Sequence, residues 1–282
     1  HPIPRSLNHS MFIELHAHSC YSLLDGVATP EALIARAAAL EMPALALTDH
    51  DAVYGLPAFE TAAEQHGLHS ILGAELTLAD DTHLTLLAET QAGYANLCRL
   101  ITLGRRDQPK GESRLPRATL AVHADGLIAL TGCRRGGVAA RLLARDRDGA
   151  ARALAELVEV FGRGQVVVEL QRHLQRGDVP LTRELAELGR AHGLPVVATG
   201  NVHYLERDDG VVQSALTSIR TRVPLTTSTG FFWRRSAQTA TNHERFLRGT
   251  AAMLALYADL PEAVHATEAI AARCLARLPR GL

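Results

Sequence analysis

Seven short apolar runs rich in Val, Ile and Leu punctuate roughly the first 200 residues, and the longer gaps between them have the period of amphipathic helices. No other feature limits the fold as strongly, because strands that alternate with helices pair in parallel under a cover of helices. The runs lie at 12–16 (FIELH), 44–48 (ALALT), 71–78, 84–88 (LTLLA), 127–131 (LIALT), 165–170 (QVVVEL) and 195–199 (PVVAT). Seven strands suit a closed barrel better than an open sheet, so the expected fold is an α/β chain forming a seven-stranded (β/α) barrel. A helix is expected from Pro30, with Thr29 placed to cap it and Glu31 in its first turn. Further helices are expected over 56–65, 91–103, 148–161, 181–192 and 207–219.

The stretch from Arg105 to Arg117 combines Pro, Gly and charge without any period and reads as an exposed loop. Past residue 220 the alternation ends, a Thr/Ser-rich stretch (TTSTGFFWRRS) intervenes, and two helical patterns follow near 242–257 and 261–278. The organisation read from this is a barrel over 11–220 with a C-terminal helical extension over 221–282. Apolar residues make up 47% of the chain and charged residues 21%, enough to bury a core. With 29 basic and 30 acidic residues the net charge is −1, so any grip on nucleic acid is local and does not involve the whole surface. Lys110 is the single lysine, and so much arginine reflects base composition before it reflects phosphate binding. Cys20, Cys98, Cys133 and Cys274 form no CxxC pair, which excludes a zinc ribbon or disulfide framework and fits a reducing compartment. No run approaches the ~20 apolar residues of a membrane span, and the opening HPIPRSLNHS lacks the apolar core of a signal peptide; a cytoplasmic protein with no membrane partner is expected.

The chemistry gathers at strand ends. Side chains two apart on a strand point the same way, so His16 and His18 at the end of the first run can converge on one cation. The second run ends at His50, the third carries Glu75, the fifth leads into Cys133, and the seventh into Asn201 and His203. Asp25 lies in the loop after the first run. His83 follows Glu75 by eight residues across Asp80–Asp81, and a hairpin there makes the fourth strand antiparallel and returns His83 to the same mouth. Five imidazoles, two carboxylates and a thiol exceed what one ion needs. Hydrolytic sites spread such donors over two or three ions, so a multinuclear hydrolytic centre is expected.

The segment FIELHAHSCYSLLDGVATPEALIARAAALEMPALALTDHDAVYGL resembles the opening of the PHP (polymerase and histidinol phosphatase) domain, specifically that of bacterial C-family DNA polymerases of the polymerase III alpha-subunit type. HLTLLAETQAGYANLCRL, LTGCRRGGVAARLL, VVATGNVHYL and YADLPEAVHATEAIAARC resemble later stretches of that family in the same order, and the GNVHY wording leans toward its error-prone branch. The last segment is similar to the one that joins the PHP domain to the polymerase palm. The resemblance implies a distorted seven-stranded barrel holding two or three divalent ions, zinc or manganese, with iron also accommodated by imidazole and carboxylate. It implies His16 and His18 on the first ion, Glu75 bridging to the second, and His83 and Cys133 completing the second site. Asp25, His50 and His203 are implied for the third. The family has an Asp two residues before the last His, where this chain has Asn201, and the exchange replaces a hard carboxylate by a weaker neutral oxygen.

Metal-dependent phosphoester hydrolysis is the reaction implied, with a single-stranded DNA 3' end as substrate and 3'-5' proofreading as the role. The implied partners are the remainder of a polymerase chain and replication or repair factors. Two alternatives remain open: a vestigial metal-binding domain that braces the polymerase, and a stand-alone phosphatase of the histidinol-phosphate type. Lesser features read more simply. Cys20 is a bystander thiol, Arg134 and Arg135 are surface residues that could steady a phosphate, and Arg105, Arg106, Lys110 and Arg114 belong to a solvated loop. Phe231, Phe232, Trp233, Arg234 and Arg235 anchor the tail in preference to stacking on bases. Asp49 and Asp51 either orient imidazoles or cap the next helix.

Overall fold

Val, Leu, Ile and Ala fill the strands because both faces of the sheet are covered, and all but the end residues Thr77 and Val196 are buried. The computed structural model describes residues 11–223 and 242–279. One six-stranded sheet runs in chain order through β1 (Ala44–Leu47), β2 (His69–Thr77), β3 (His83–Ala88), β4 (Leu127–Leu130), β5 (Val166–Gln171) and β6 (Val196–Thr199). β1 and β2 are parallel, as are β4, β5 and β6. β3 is antiparallel to both neighbours, the hairpin expected across Asp80–Asp81, with Thr77 opposite His83.

The first apolar run, expected as a strand, is a pair of isolated bridges. Glu14 pairs with Leu45 beside β1, and Ala17 pairs with Val202 just past β6. The Glu14 side chain explains the irregularity, since it accepts the N–H of His16 at 2.9 Å and of Gly200 at 2.7 Å and so takes donors a ladder would use. Residues 12–18 therefore lie between the two edges of the six-stranded sheet and join them. The fold is an α/β half-barrel of six strands with this seventh segment bridging its edges.

Alternation along the strands makes two cores. Leu45, Leu47, Leu72, Leu86 and Val168 pack against the outer helices, among them α1 (Pro30–Ala39), α3 (Gln91–Arg105) and α6 (Arg147–Phe161). Ile13, Leu15, Ala46, Ile71, Ile128 and Val197 form the inner face together with Ile270, Ala271 and Cys274. Ile270 and Ala271 belong to α10 (Pro261–Ala271), which packs along β6 and caps one end of the barrel. The other end, where β1, β2 and β6 finish, stays open.

The expected helices appear as α1, α2 (Leu56–His66), α3, α6, α7 (Asp178–Ala191) and α8 (Gly210–Thr221). Two short helices, α4 (Ala118–Val122) and α5 (Gly137–Leu143), go beyond the sequence reading. The helix expected over 242–257 is confined to α9 (Thr250–Leu256). Residues 245–247 instead pair with the strand end, where Arg245 O accepts the His203 N–H at 2.8 Å and Tyr204 O accepts the Leu247 N–H at 3.2 Å. The TTSTGFFWRRS stretch and the opening HPIPRSLNHS lie outside the described residues. No helix among the described residues is long and apolar enough to cross a membrane.

Candidate metal centre

At the open end the loops bring the nine sequence-selected residues to one cup. His16 and His18 arrive on the bridging segment, Glu75 on β2, His83 at the start of β3, and Asn201 and His203 just past β6. Cys133 is delivered by the turn after β4. There Gly132 adopts φ +85°, and a Cβ on it would lie 2.8 Å from His83 O, so glycine permits the approach. The Cys133 Sγ lies 3.6 Å from His83 Nδ1.

The ring nitrogens show which atoms face the cup. His16 Nδ1 bonds Glu169 Oε1 at 2.7 Å, and His203 Nδ1 donates to Asn201 O at 2.8 Å. Ser22 gives its proton to Asp49 at 2.7 Å, so toward His18 Nδ1 at 3.2 Å its oxygen accepts. With Nδ1–H anchored in all three rings, each Nε2 is turned to the cup; those of His18 and His203 are unprotonated donor atoms, while His16 keeps on its Nε2 a proton that a cation would displace. The Nε2 atoms of His16 and His18 lie 3.1 Å apart. Glu75 stands at the centre: its Oε2 is 3.5 Å from His18 Nε2 and 3.2 Å from His50 Nδ1, and its Oε1 is 3.2 Å from His83 Nδ1. Asp25 Oδ2 lies 3.2 Å from His50 Nε2 and 3.4 Å from His203 Nε2. Three groups have donor atoms close enough to share one cation: His16, His18 and Glu75; His50, Glu75 and His83; and His18, His50 and His203.

The charges fit such a role. Burial raises the Glu75 carboxyl, but the imidazoles of His83, His50 and His16 outweigh it and hold it well below the usual carboxylate range. Asp25 is held low in the same way by His203 and His50. Burial disfavours the charged His18 ring, and neighbouring His50 and His203 push its pKa down further. His16 differs: burial opposes its charge, yet Glu169 and Glu75 lift it to about 10. Burial, reinforced by Glu75, keeps the Cys133 thiol protonated well above its ordinary range, and a nearby cation reverses that preference.

Outside the cup is a cleft of about 900 Å³. Arg114, Arg134, Arg135, Arg220 and Arg245 line it together with the site residues.

Against known families, residues 14–173 match the family model described as the PHP domain. The chain belongs to the PHP domain family. It is 40% identical to an error-prone DNA polymerase of Symbiobacterium thermophilum over 93% of its own length and 25% of that protein. It is 31% identical to a DNA polymerase III subunit alpha of Treponema pallidum over 95% of its length and 24% of that protein. The chain thus spans about a quarter of the curated relatives it matches. A solved lesion-specific endonuclease of Pyrococcus furiosus, 16% identical, superposes with a TM-score of 0.44 over 68% of this chain and 48% of that one.

The donor set of this PHP domain fits divalent cations. Glu75 Oε1 and Asn201 Oδ1 are buried with no hydrogen-bond partner, and the Nε2 atoms of His16 and His18 converge beside Glu75. Buried polar atoms without partners are rare, and Glu75 Oε1 lies among the imidazole nitrogens with which it could share a cation. Asn201 itself is buried at φ +44°, with its amide nitrogen donating to Gln171 Oε1 at 3.2 Å.

Several contributors escaped the sequence reading. Glu169 on β5 orients His16, and the Thr199 hydroxyl and Gln171 Nε2 also donate to its Oε1. A visible signal existed, since Glu169 and Glu14 are acids inside the apolar runs QVVVEL and FIELH, and an acid buried there needs partners. Arg220 and Gln213 of α8 reach Asp25 with no local motif to announce them. Asp49 proves to bind Ser19 and Ser22, while Asp51 accepts from Thr77. Arg134 is paired with Asp178 at 2.7 Å, and Arg114 with Asp81 at 3.0 Å.

Proposed function

We propose that this PHP domain hydrolyses phosphoesters with two or three bound divalent ions, zinc or manganese, and that its substrate is a single-stranded or mispaired DNA 3' end. The observation that carries the reading is the convergence of imidazole Nε2 atoms and the Glu75 carboxylate at the floor of an arginine-lined cleft. His16, His18, Glu75 and Asn201 would hold the first ion, Glu75, His83 and Cys133 the second, and Asp25, His50 and His203 the third. Bound cations neutralise phosphoryl charge and acidify water. The chain's own groups do the rest. Glu169, Ser22 and the Asn201 carbonyl hold three rings in one tautomer, burial keeps water from competing for the donors, and the cleft arginines attract the phosphodiester.

In this proposal residues 11–220 are the metal-binding barrel, and 221–282 lead toward the palm of an error-prone type polymerase, a cytoplasmic protein working with replication or repair factors. The Cys133 thiol inclines the second site to zinc. The test is incubation of the metal-loaded chain with end-labelled single-stranded and mispaired DNA. Metal-dependent shortening that a His16→Ala control loses supports the reading; its absence in the metal-loaded wild type refutes it.

Asn201 favours a second reading, a PHP domain that binds metal but only braces the polymerase, because its neutral amide stands where a carboxylate would strengthen the first site. A large gain of hydrolysis in Asn201→Asp favours that alternative. A stand-alone phosphatase would instead hydrolyse small phosphate monoesters far faster than DNA.

A further inference from the structure

The carboxylate of Asp25 is already the target of a fixed cation. Arg220 Nη1 lies 3.1 Å from Asp25 Oδ2, the same oxygen that faces His50 Nε2 and His203 Nε2. Its other oxygen receives the Gln213 amide at 3.4 Å. Gln213 and Arg220 lie seven residues apart on α8, two turns along one helix face, so the helix commits two side chains to this one carboxylate. Thr217 lies between them, and both it and Gln213 are buried, with Thr217 Oγ1 and Gln213 Oε1 lacking hydrogen-bond partners. From Gln213 to Thr217 this face of α8 is therefore polar, buried and under-bonded, unlike a face that merely packs.

Arg220 also differs from its neighbours along the cleft. Arg134 and Arg114 pair with Asp178 and Asp81, neither of which belongs to the donor set. Among the described arginines only Arg220 forms an ion pair with a carboxylate of that set. A divalent ion on Asp25 Oδ2 would stand within a few ångströms of the guanidinium, and two like charges at that range repel strongly in a partly buried site. One of the two must yield. The arginine is tethered by its helix and permanently charged, whereas a weakly held ion can leave.

We infer that the Arg220 guanidinium stands in for the third divalent cation at Asp25, so that this PHP centre loads two metal ions and offers a tethered organic cation beside them. The side chain is 41% exposed toward the cleft, which leaves guanidinium donors free to meet a phosphate oxygen of the substrate. Arg220 is thus a positioning residue for metal occupancy. The inference rests on the metal-centre reading above.

Counting ions tests it without any activity measurement. The full chain is loaded with excess zinc or manganese, freed of unbound metal and analysed by plasma mass spectrometry, with circular dichroism confirming the fold of each variant. The wild type carries two ions per chain, and Arg220→Gln gains a third. Arg220→Lys, which keeps the positive charge, stays at two, and so does Asp25→Asn. Three ions in the wild type, or two in a folded Arg220→Gln, overturns the inference while leaving the metal centre standing. No metal in the wild type overturns the proposed function itself, and the two failures are distinguishable.

Discussion

Arg172 follows β5 directly, and replacing it with Met tests how the C-terminal segment is held to the barrel. The guanidinium is buried and makes bonds of 2.6 and 3.1 Å to the two oxygens of Asp259. It also donates to Leu256 O at 2.9 Å and to Thr182 Oγ1 at 3.0 Å, and it lies 4.6 Å from the Tyr257 ring centre. Met keeps most of the stem and removes every one of these bonds. Removing one partner of a fully buried pair costs about 3–5 kcal/mol. Here the Asp259 side chain is 30% exposed and also reaches Arg183 at 2.9 Å, so water and a second cation compensate it in part. The expected loss is about 2–3 kcal/mol, which in a chain of this size lowers Tm by about 5–10 °C. Urea unfolding of Arg172→Met, Asp259→Asn and the double variant isolates the pair, with an expected coupling of about 1–2 kcal/mol. The pair also has a pH signature. Arg172 holds the Asp259 carboxyl below its ordinary range, so its contribution is fully present above about pH 4 and is lost as pH falls below it; Asp259→Asn removes that acid limb. A coupling below about 0.3 kcal/mol refutes the reasoning.

Other outcomes follow from the cup and the cleft. Glu75→Gln weakens cation binding by more than about 100-fold, measured by competition with a chelating dye, because it removes the one carboxylate that approaches four imidazoles; unchanged affinity contradicts its central role. His16 carries a proton below its pKa of about 10 in the metal-free chain, so a cation on its Nε2 side displaces that proton and apparent affinity rises about tenfold per pH unit between 6 and 9. Calorimetry in buffers of different ionisation enthalpy detects the released proton, and Glu169→Gln flattens the pH slope. Arg245 has no side-chain hydrogen bond or ion pair among the described residues, and its backbone is fixed beside His203 and Tyr204. With the proposed DNA strand in the cleft, Arg245→Ala weakens single-stranded DNA binding uniformly across sequences and reduces the slope of log K against log salt by about 0.7; an unchanged slope places the residue off that path.

What the sequence made legible was local. His16 and His18 share one face of an extended segment, and the hairpin that returns His83 to Glu75 could be read because both spacings are short and extended geometry is periodic. The alternation of apolar runs with helices gave the architecture for the same reason. Long-range choices were hidden. Residues 242–249 carry a helical pattern, yet the pairing of 245 and 247 with 203 and 204 outcompetes it, and no local signal announces a partner some forty residues away. The apolar stripe of α10 reveals that it packs, without revealing that Ile270 and Ala271 complete the inner face of the barrel. Glu169 and Arg220 likewise act through groups that only the closed sheet brings near.

The segment that carries His16 and His18 also has a topological consequence. It bridges each margin of the sheet, at Leu45 of β1 and at Val202 just past β6, and so occupies part of the edges to which a foreign strand would add. It also sets the order of assembly. The Gly200 N–H meets Glu14 across a sequence separation of 186, so a nascent chain has made both histidines long before it can seat them, which waits until β6 and Gly200 emerge.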